Sequence, residues 1–170
     1  ATYQGKIPRA QSHLNQARQL NSPYLQNYLS HLLNIKAQVL YQQAMQAYET
    51  EDLAAMEAKL KQILAFSPNN PTALNALGYT LVDKTQRLTE GFGYIKAALK
   101  QQPDSAAIQD SYGWALYKLN RPEEALVYLQ QAYKQFPDDE IAQHLYEVLL
   151  HLNQPQAAEE VLSQHPNLTK

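Results

Sequence analysis

The fold of this chain is decided by the stretch from Ser105 to Asp138, which reads SAAIQDSYGWALYKLNRPEEALVYLQQAYKQFPD. It contains two runs of helix-forming residues, and the second run begins at Pro122. Proline is tolerated in the first turn of a helix because no hydrogen bond is lost there. Pro137 ends the second run, since its ring blocks helix continuation. The stretch therefore predicts two helices joined by a short turn.

The same arrangement recurs along the chain with a period of about 34 residues. Pro68, Pro103 and Pro137 follow this period, and so do Gly78 and Gly113. A period of this length with two helices in each unit is the tetratricopeptide pattern. Small residues are expected where the paired helices approach closely, and the sequence supplies them at Ala44, Gly78, Gly113, Gly91, Ala125, Ala158, Ala98 and Ala132. Met56 and Ile63 depart from this rule, which predicts looser packing in the first repeat.

The period predicts an all-α fold, a tetratricopeptide superhelix of stacked antiparallel helical hairpins. We assign repeats to residues 36–70, 71–105 and 106–139, and an incomplete last repeat or cap to residues 140–166. Residues 1–35 fit the pattern poorly and are interpreted as a helical segment or a degenerate repeat, with a docking or swapping segment as the alternative. Residues 22–49 form either one long helix or two helices with a break near Asn34. Because the chain starts with Ala1 rather than Met, we expect it to be an excised fragment or a processed product.

Composition excludes several classes of function. The 170 residues carry a formal net charge of -2, which argues against nucleic acid, because phosphate binding needs clustered cations. The absence of cysteine removes disulfides, thiol catalysis and thiolate metal sites from this stretch. No apolar run approaches the length of a membrane-spanning helix, so we expect no direct membrane insertion.

Stacked hairpins expose a concave surface that is lined by the first helix of each repeat. Counting the inner positions of those helices predicts a groove rich in aromatic side chains, which dominate binding hot spots. Several tyrosines packing between repeats instead of lining the groove is the alternative. The predicted partner-binding residues are Tyr41, Met45, Tyr48, Asn75, Tyr79, Asp83, Asp110, Trp114, Tyr117, Lys118, Glu147 and His151.

No signature of catalysis appears in the sequence: there is no phosphate loop, no GxSxG, no HExxH and no paired-glycine fingerprint. Glu140, His144, Glu147 and His151 share one face of a helix. The two histidines are two turns apart, so one zinc ion can hardly reach both. We interpret the four as solvated or partner-facing polar surface, and we predict no metal, no cofactor and no enzymatic activity.

Three runs of the chain carry a resemblance: ALNALGYTLVDKTQRLTEG, IQDSYGWALYKLNRPEEALVYLQQAY and FPDDEIAQHLYEVLLHLNQPQAAEEVL. They resemble the carboxyl-terminal repeats of tetratricopeptide lipoproteins on the periplasmic face of the Gram-negative outer membrane. In that family one role is to act as adaptor for a carboxyl-terminal processing protease and to bring in cell-wall hydrolases as substrates. The resemblance implies periplasmic location and outer-membrane attachment of the full-length protein, although the lipid-bearing cysteine and signal peptide are not in this chain.

The sequence thus predicts a non-catalytic scaffold that binds protein segments in its groove, and the resemblance implies that it acts as an envelope adaptor. Two alternative functions stay open: a structural or assembly subunit of an envelope secretion or pilus complex, and an enzyme with an undetected site. Among partners, the exposed repeat ends also allow a homodimer.

Overall fold

A computed structural model describes residues 12, 13, 16, 23–166 and 168 of the chain, and these residues contain helices and turns but no strand. Eight helices with defined bounds lie within them. They are α1 (Pro23–Glu49), α2 (Leu53–Phe66), α3 (Pro71–Lys84), α4 (Leu88–Gln101), α5 (Ala106–Lys118), α6 (Pro122–Gln135), α7 (Asp139–His151) and α8 (Pro155–Ser163). The predicted all-α fold of antiparallel helical hairpins is confirmed.

The chain divides into two compact units between Phe66 and Ser67. Unit 1 holds α1 and α2, which pack against each other. Unit 2 holds three hairpins, α3–α4, α5–α6 and α7–α8. Within unit 2 the first helices of successive hairpins, α3, α5 and α7, also contact one another and form a contiguous row.

Inside the hairpins of unit 2, glycine lets two helix backbones meet. A Cβ atom on Gly78 of α3 would lie 2.7 Å from the carbonyl oxygen of Gly91 on α4 and 2.6 Å from Cγ1 of Ile95. On Gly113 of α5 it would lie 2.7 Å from Cγ of Leu129 on α6. Since real Cβ atoms do not approach so closely, a larger residue at either glycine forces the two helices apart. The predicted small positions therefore have a direct structural reason.

Unit 1 is built differently. Helix α1 is 27 residues long and runs without a break through Asn34, which is the first of the two arrangements considered from sequence. At its start Tyr24 and Tyr28 are largely exposed. Ala44, Met56 and Ile63 are buried, although two of them are not small. Of the predicted segment 1–35, residues 12, 13 and 16 are helical and residues 23–35 belong to α1, and the others lie outside the described residues.

Helix starts and ends follow local chemistry. The side chains of Asn70 and Asp138 accept hydrogen bonds of 2.9 Å from the amides of Ala73 and Ile141, and so cap α3 and α7. The turns after α1, α5 and α7 each contain a residue with positive φ, which asparagine adopts more readily than other non-glycine residues. These residues are Glu51, Asn120 and Asn153.

Candidate functional site

The row of first helices in unit 2 brings most of the predicted groove residues together. Asn75, Tyr79 and Asp83 lie on α3, Asp110, Trp114, Tyr117 and Lys118 on α5, and Glu147 and His151 on α7. Side-chain contacts described below connect α3 with α5 and both with α7 on one side of unit 2. We call this side the inner face, with accessible members Tyr79, Asp83, Tyr117, Lys118, Glu140, Glu147 and His151.

A buried acid–histidine pair joins α5 to α7 at the centre of this face. Nδ1 of His144 lies 2.9 Å and 3.1 Å from the two carboxylate oxygens of Asp110. The two residues are only 5% and 4% exposed. Burial raises the pKa of the Asp110 carboxyl, while its hydrogen bond with His144 acts in the opposite direction.

Tyr79 extends the pair toward solvent. Its hydroxyl donates a hydrogen bond of 2.7 Å to Oε1 of Glu140, and its oxygen lies 3.5 Å from Nε2 of His144. Burial, and then the hydrogen bond and charge of Glu140, raise the pKa of the Tyr79 phenol far above its usual range. The phenol is therefore held neutral at any physiological pH, which makes Tyr79 unsuited to act as a nucleophile.

Trp114 packs inside the row rather than lining an open groove. Its ring stacks on His144 with centroids 4.1 Å apart, and Nε1 donates to Oδ1 of Asp83 at 3.3 Å. Nζ of Lys118 lies 4.5 Å from the centre of the ring. Trp114 is 5% exposed and belongs to an apolar cluster with Val82. The expectation of an open Trp114 was therefore wrong in the free protein, because the next hairpin covers the ring.

Asp110 and His144 need the same correction. Asp110 was expected to offer hydrogen bonds to a partner, but its carboxylate is occupied by the imidazole. His144 was interpreted as solvated or partner-facing, and it is buried. A signal was present: the two residues are 34 apart, which is one repeat period. Equivalent positions of successive first helices are neighbours, so an acid and a histidine at that spacing indicate a contact.

The accessible part of the inner face lies around Tyr117. Its ring and that of His151 are nearly perpendicular with centroids 5.4 Å apart, and its centroid lies 5.3 Å from that of the Trp114 ring. Glu147 is half-buried and accepts a hydrogen bond of 2.9 Å from Gln143. Lys118 and His151 are exposed. This part therefore offers one aromatic ring with both signs of charge around it.

Four other predicted residues have different surroundings. Tyr41, Met45 and Tyr48 lie on α1 in unit 1 and are half-buried. Burial raises the pKa of the Tyr41 phenol. Asn75 on α3 is half-buried too. Its Oδ1 is, in the part of the chain that the structure describes, the one buried side-chain oxygen or nitrogen without a hydrogen-bond partner.

A second histidine cluster, which the sequence did not reveal, lies at the end of unit 2. Nδ1 of His165 is 2.7 Å from Oδ1 of Asp139, and Nε2 is 3.1 Å from the hydroxyl of Tyr133. His165 is buried, whereas the Asp139 side chain is largely exposed. The cluster ties the segment after α8 to α6 and α7. Its spacings follow no repeat period, so no sequence signal pointed to it.

Neither a metal centre nor a membrane span is found in the described part of the chain. No three histidine or acidic side chains there are grouped to hold a metal ion. No helix there combines the length and the apolar character needed to cross a membrane.

Comparisons with known proteins agree with this architecture. Residues 116–169 match the family model described as tetratricopeptide repeat. The TPR repeat-containing protein PA4667 of Pseudomonas aeruginosa is 47% identical over 109 residues, which are 64% of this chain and 18% of that protein. The chain thus spans less than a fifth of the length of this relative.

Solved structures show the same fold at low sequence identity. The tetratricopeptide protein TTC0263 of Thermus thermophilus has a TM-score of 0.67 and 19% identity, with 92% of each chain covered. Pseudomonas aeruginosa pilF has a TM-score of 0.71 and 20% identity, with 80% of this chain and 64% of that chain covered. Together with the family match over residues 116–169 and the hairpins of unit 2, these likenesses show that the chain has the tetratricopeptide-repeat fold.

Proposed function

We propose that this chain is a non-catalytic scaffold that binds protein segments along the inner face of unit 2. Tetratricopeptide arrays mediate protein–protein interactions through surfaces of this kind. The observation that carries the proposal is the meeting of side chains from three helices, where Tyr79 joins Glu140 and Tyr117 joins His151. These four groups are at least partly accessible, while the residues beneath them are buried.

The buried layer beneath the face supports this function by fixing its geometry. Asp110, His144 and Trp114 hold α5 and α7 through a hydrogen-bonded pair and a stacked ring. Rigid aromatic side chains bind with a low loss of conformational entropy, and hot spots concentrate in such groups. Trp114 therefore has a supporting role in our proposal, and Tyr117 and Tyr79 replace it as the expected contact residues.

The biological role that we propose is that of a periplasmic adaptor. The resemblance of three runs to outer-membrane tetratricopeptide lipoproteins supports it. The adaptor would hold a carboxyl-terminal processing protease and a cell-wall hydrolase at the same time. Holding both raises their effective concentration without any chemistry by the scaffold.

Affinity capture from a Gram-negative periplasmic extract tests the role and the surface together. The immobilised chain is compared with a Tyr117→Ala/His151→Ala variant on the inner face. Phe136→Ala is the matched control, because Phe136 is an exposed ring at the end of α6. We expect wild type and control to retain a processing protease or a hydrolase, and the inner-face variant to lose it.

Other outcomes discriminate between the functions. Equal capture by all three proteins would contradict the inner face as the binding surface. Capture of membrane-assembly subunits in place of a protease would contradict the adaptor role and favour the structural subunit. Thermal unfolding of each variant shows that lost capture does not reflect lost folding.

A further inference from the structure

The buried Asp110–His144 pair has an unusual electrostatic setting. From α7 it faces Glu140, and Asp138 at the start of that helix also acts on Asp110. From α3 it faces the neutral phenol of Tyr79. The remaining charged groups close to it, Asp83 on α3 and Lys118 on α5, contact the other ring in the stack, Trp114. The groups that act directly on the pair are thus acidic or neutral.

The net charge of the pair depends on whether it holds one proton or two. With a neutral imidazole donating from Nδ1, the ionised carboxylate of Asp110 leaves one negative charge buried beside the carboxylate of Glu140. Burial of an uncompensated charge is unfavourable. A second proton on the pair cancels that charge. The structure is therefore better suited to the doubly protonated pair than to the singly protonated one.

Hydrogen-bond geometry favours the same state. The hydroxyl proton of Tyr79 is donated to Glu140, so the Tyr79 oxygen can accept a hydrogen bond from Nε2 of His144. Only the imidazolium has a proton on Nε2 as well as Nδ1. The imidazolium is also attracted to the face of Trp114, on which it stacks.

We propose that the Asp110–His144 pair is a pH-sensitive latch of the inner face. Uptake of one proton fastens α3, α5 and α7 to one another, and loss of that proton loosens them. The latch itself is independent of any partner. Its consequence for partner binding, which is weaker binding in mildly alkaline solution, rests on the function proposed above.

The sign of the pH effect follows from the charge of the buried pair. Loss of the second proton leaves an uncompensated negative charge that Glu140 also repels, so the stabilisation that the pair contributes falls as pH rises. Burial raises the pKa of the Asp110 carboxyl, which acts in the same direction because it also favours the pair with more protons. The measurements run from about pH 5 to about 8.5, a range that brackets the ordinary pKa of an imidazole, about 6.5.

Fluorescence of the full chain tests the latch directly, because Trp114 is the only tryptophan in the sequence. An imidazolium stacked on an indole quenches its emission, whereas the neutral ring quenches far less. We expect the emission of wild type to fall in one step as pH is lowered through this range, and His144→Gln to lack the step. His165→Gln is the matched control, since His165 also pairs with a carboxylate but lies beside Tyr133 and not beside the tryptophan. It should keep the step.

The absence of a step in wild type would overturn the latch, and so would a step of unchanged size in His144→Gln. If circular dichroism shows that His144→Gln does not fold, the same measurements on Asp110→Asn test the proposal. Without the carboxylate that stabilises the imidazolium, the fluorescence midpoint should move to lower pH, and the Tm should depend less on pH than in wild type. An unchanged midpoint with parallel Tm curves would contradict the proposal. Because no partner is used, these outcomes leave the proposed function untouched.

Discussion

The interior of each hairpin in unit 2 and the row between the hairpins are held together by different interactions. Inside the hairpins, Gly78 meets Gly91 and Gly113 meets Leu129, with contacts so close that a methyl group does not fit. Between the hairpins, the central contacts are polar and aromatic, as in the pair of Asp110 with His144. The interior thus defines the hairpin, and the row between hairpins defines how hairpins stack and what surface they present.

The two kinds of contact also differ in how their contribution to stability depends on solution conditions. Close apolar packing is robust to pH and salt, because it depends on shape and on removal of apolar area from water. A buried acid–histidine pair is conditional, since its stability depends on both partners and on protonation. The proposed binding surface of unit 2 therefore rests on the layer of contacts that depends most on conditions.

The substitution with the largest expected effect disrupts the contacts between hairpins. His144→Leu removes one partner of a buried pair, so Asp110 stays buried without a counterpart. We expect the free energy of unfolding to fall by about 3–5 kcal/mol, measured by urea denaturation near neutral pH.

A double variant sharpens this test. Asp110→Leu/His144→Leu replaces both partners by apolar side chains, and such replacements are often neutral or stabilising. We expect it to recover most of the loss. A double variant as unstable as the single one would mean that shape and not the unpaired charge explains the effect.

The substitution with the next largest effect disrupts the packing inside a hairpin. Gly113→Leu forces a side chain into contact with Leu129 and with the Ala125 carbonyl oxygen, which would lie 3.1 Å from its Cβ atom. Overpacking of this kind costs about 1–3 kcal/mol or more. The denaturation midpoint should fall.

Gly93→Leu is the matched control for that variant. Gly93 lies on α4, is exposed, and has nothing within 4 Å of an added Cβ atom. Replacing an exposed helical glycine by a good helix former should stabilise by about 0.5–1 kcal/mol. Equal losses at Gly93 and Gly113 would contradict the close approach of α5 and α6.

The smallest effect concerns a turn in unit 1. Glu51 has a φ of 59°, and the equivalent turns in unit 2 use Asn120 and Asn153. Asparagine tolerates this conformation better than glutamate does. Glu51→Asn should therefore stabilise the protein by at most about 1 kcal/mol, seen as a small rise in Tm. A fall in Tm would show that the glutamate side chain makes a contact that stabilises the protein by more than the change in backbone preference does.

Much of the hairpin interior could be predicted from the sequence, because its determinants are local and periodic. Gly78 and Gly113 are one repeat apart, and Gly91 holds the small position that Ala125 fills in the next repeat. Pro122 and Pro155 mark helix starts at the first turn. A helix and its hairpin partner are separated by a few residues. The paired positions therefore follow from a count along the chain.

The contacts between hairpins were harder to predict, because whether a side chain at an inner position faces solvent or its neighbour depends on the size of residues in the next repeat. Trp114 was expected to be open, and His144 from the following repeat covers it. Tyr79 reaches Glu140 across 61 residues, a contact that no local rule gives. Only the pairing of Asp110 with His144 was indicated by the sequence, because the two residues are 34 apart, which is one repeat period.

Amide hydrogen exchange of the full chain, with and without the captured partner, tests the central claim most directly. If partners bind the inner face of unit 2, bound partner should slow exchange in α3, α5 and α7, and leave α4, α6 and α8 unchanged. Slowed exchange confined to the second helices, or to α1 alone, would contradict the assignment of the inner face as the binding surface.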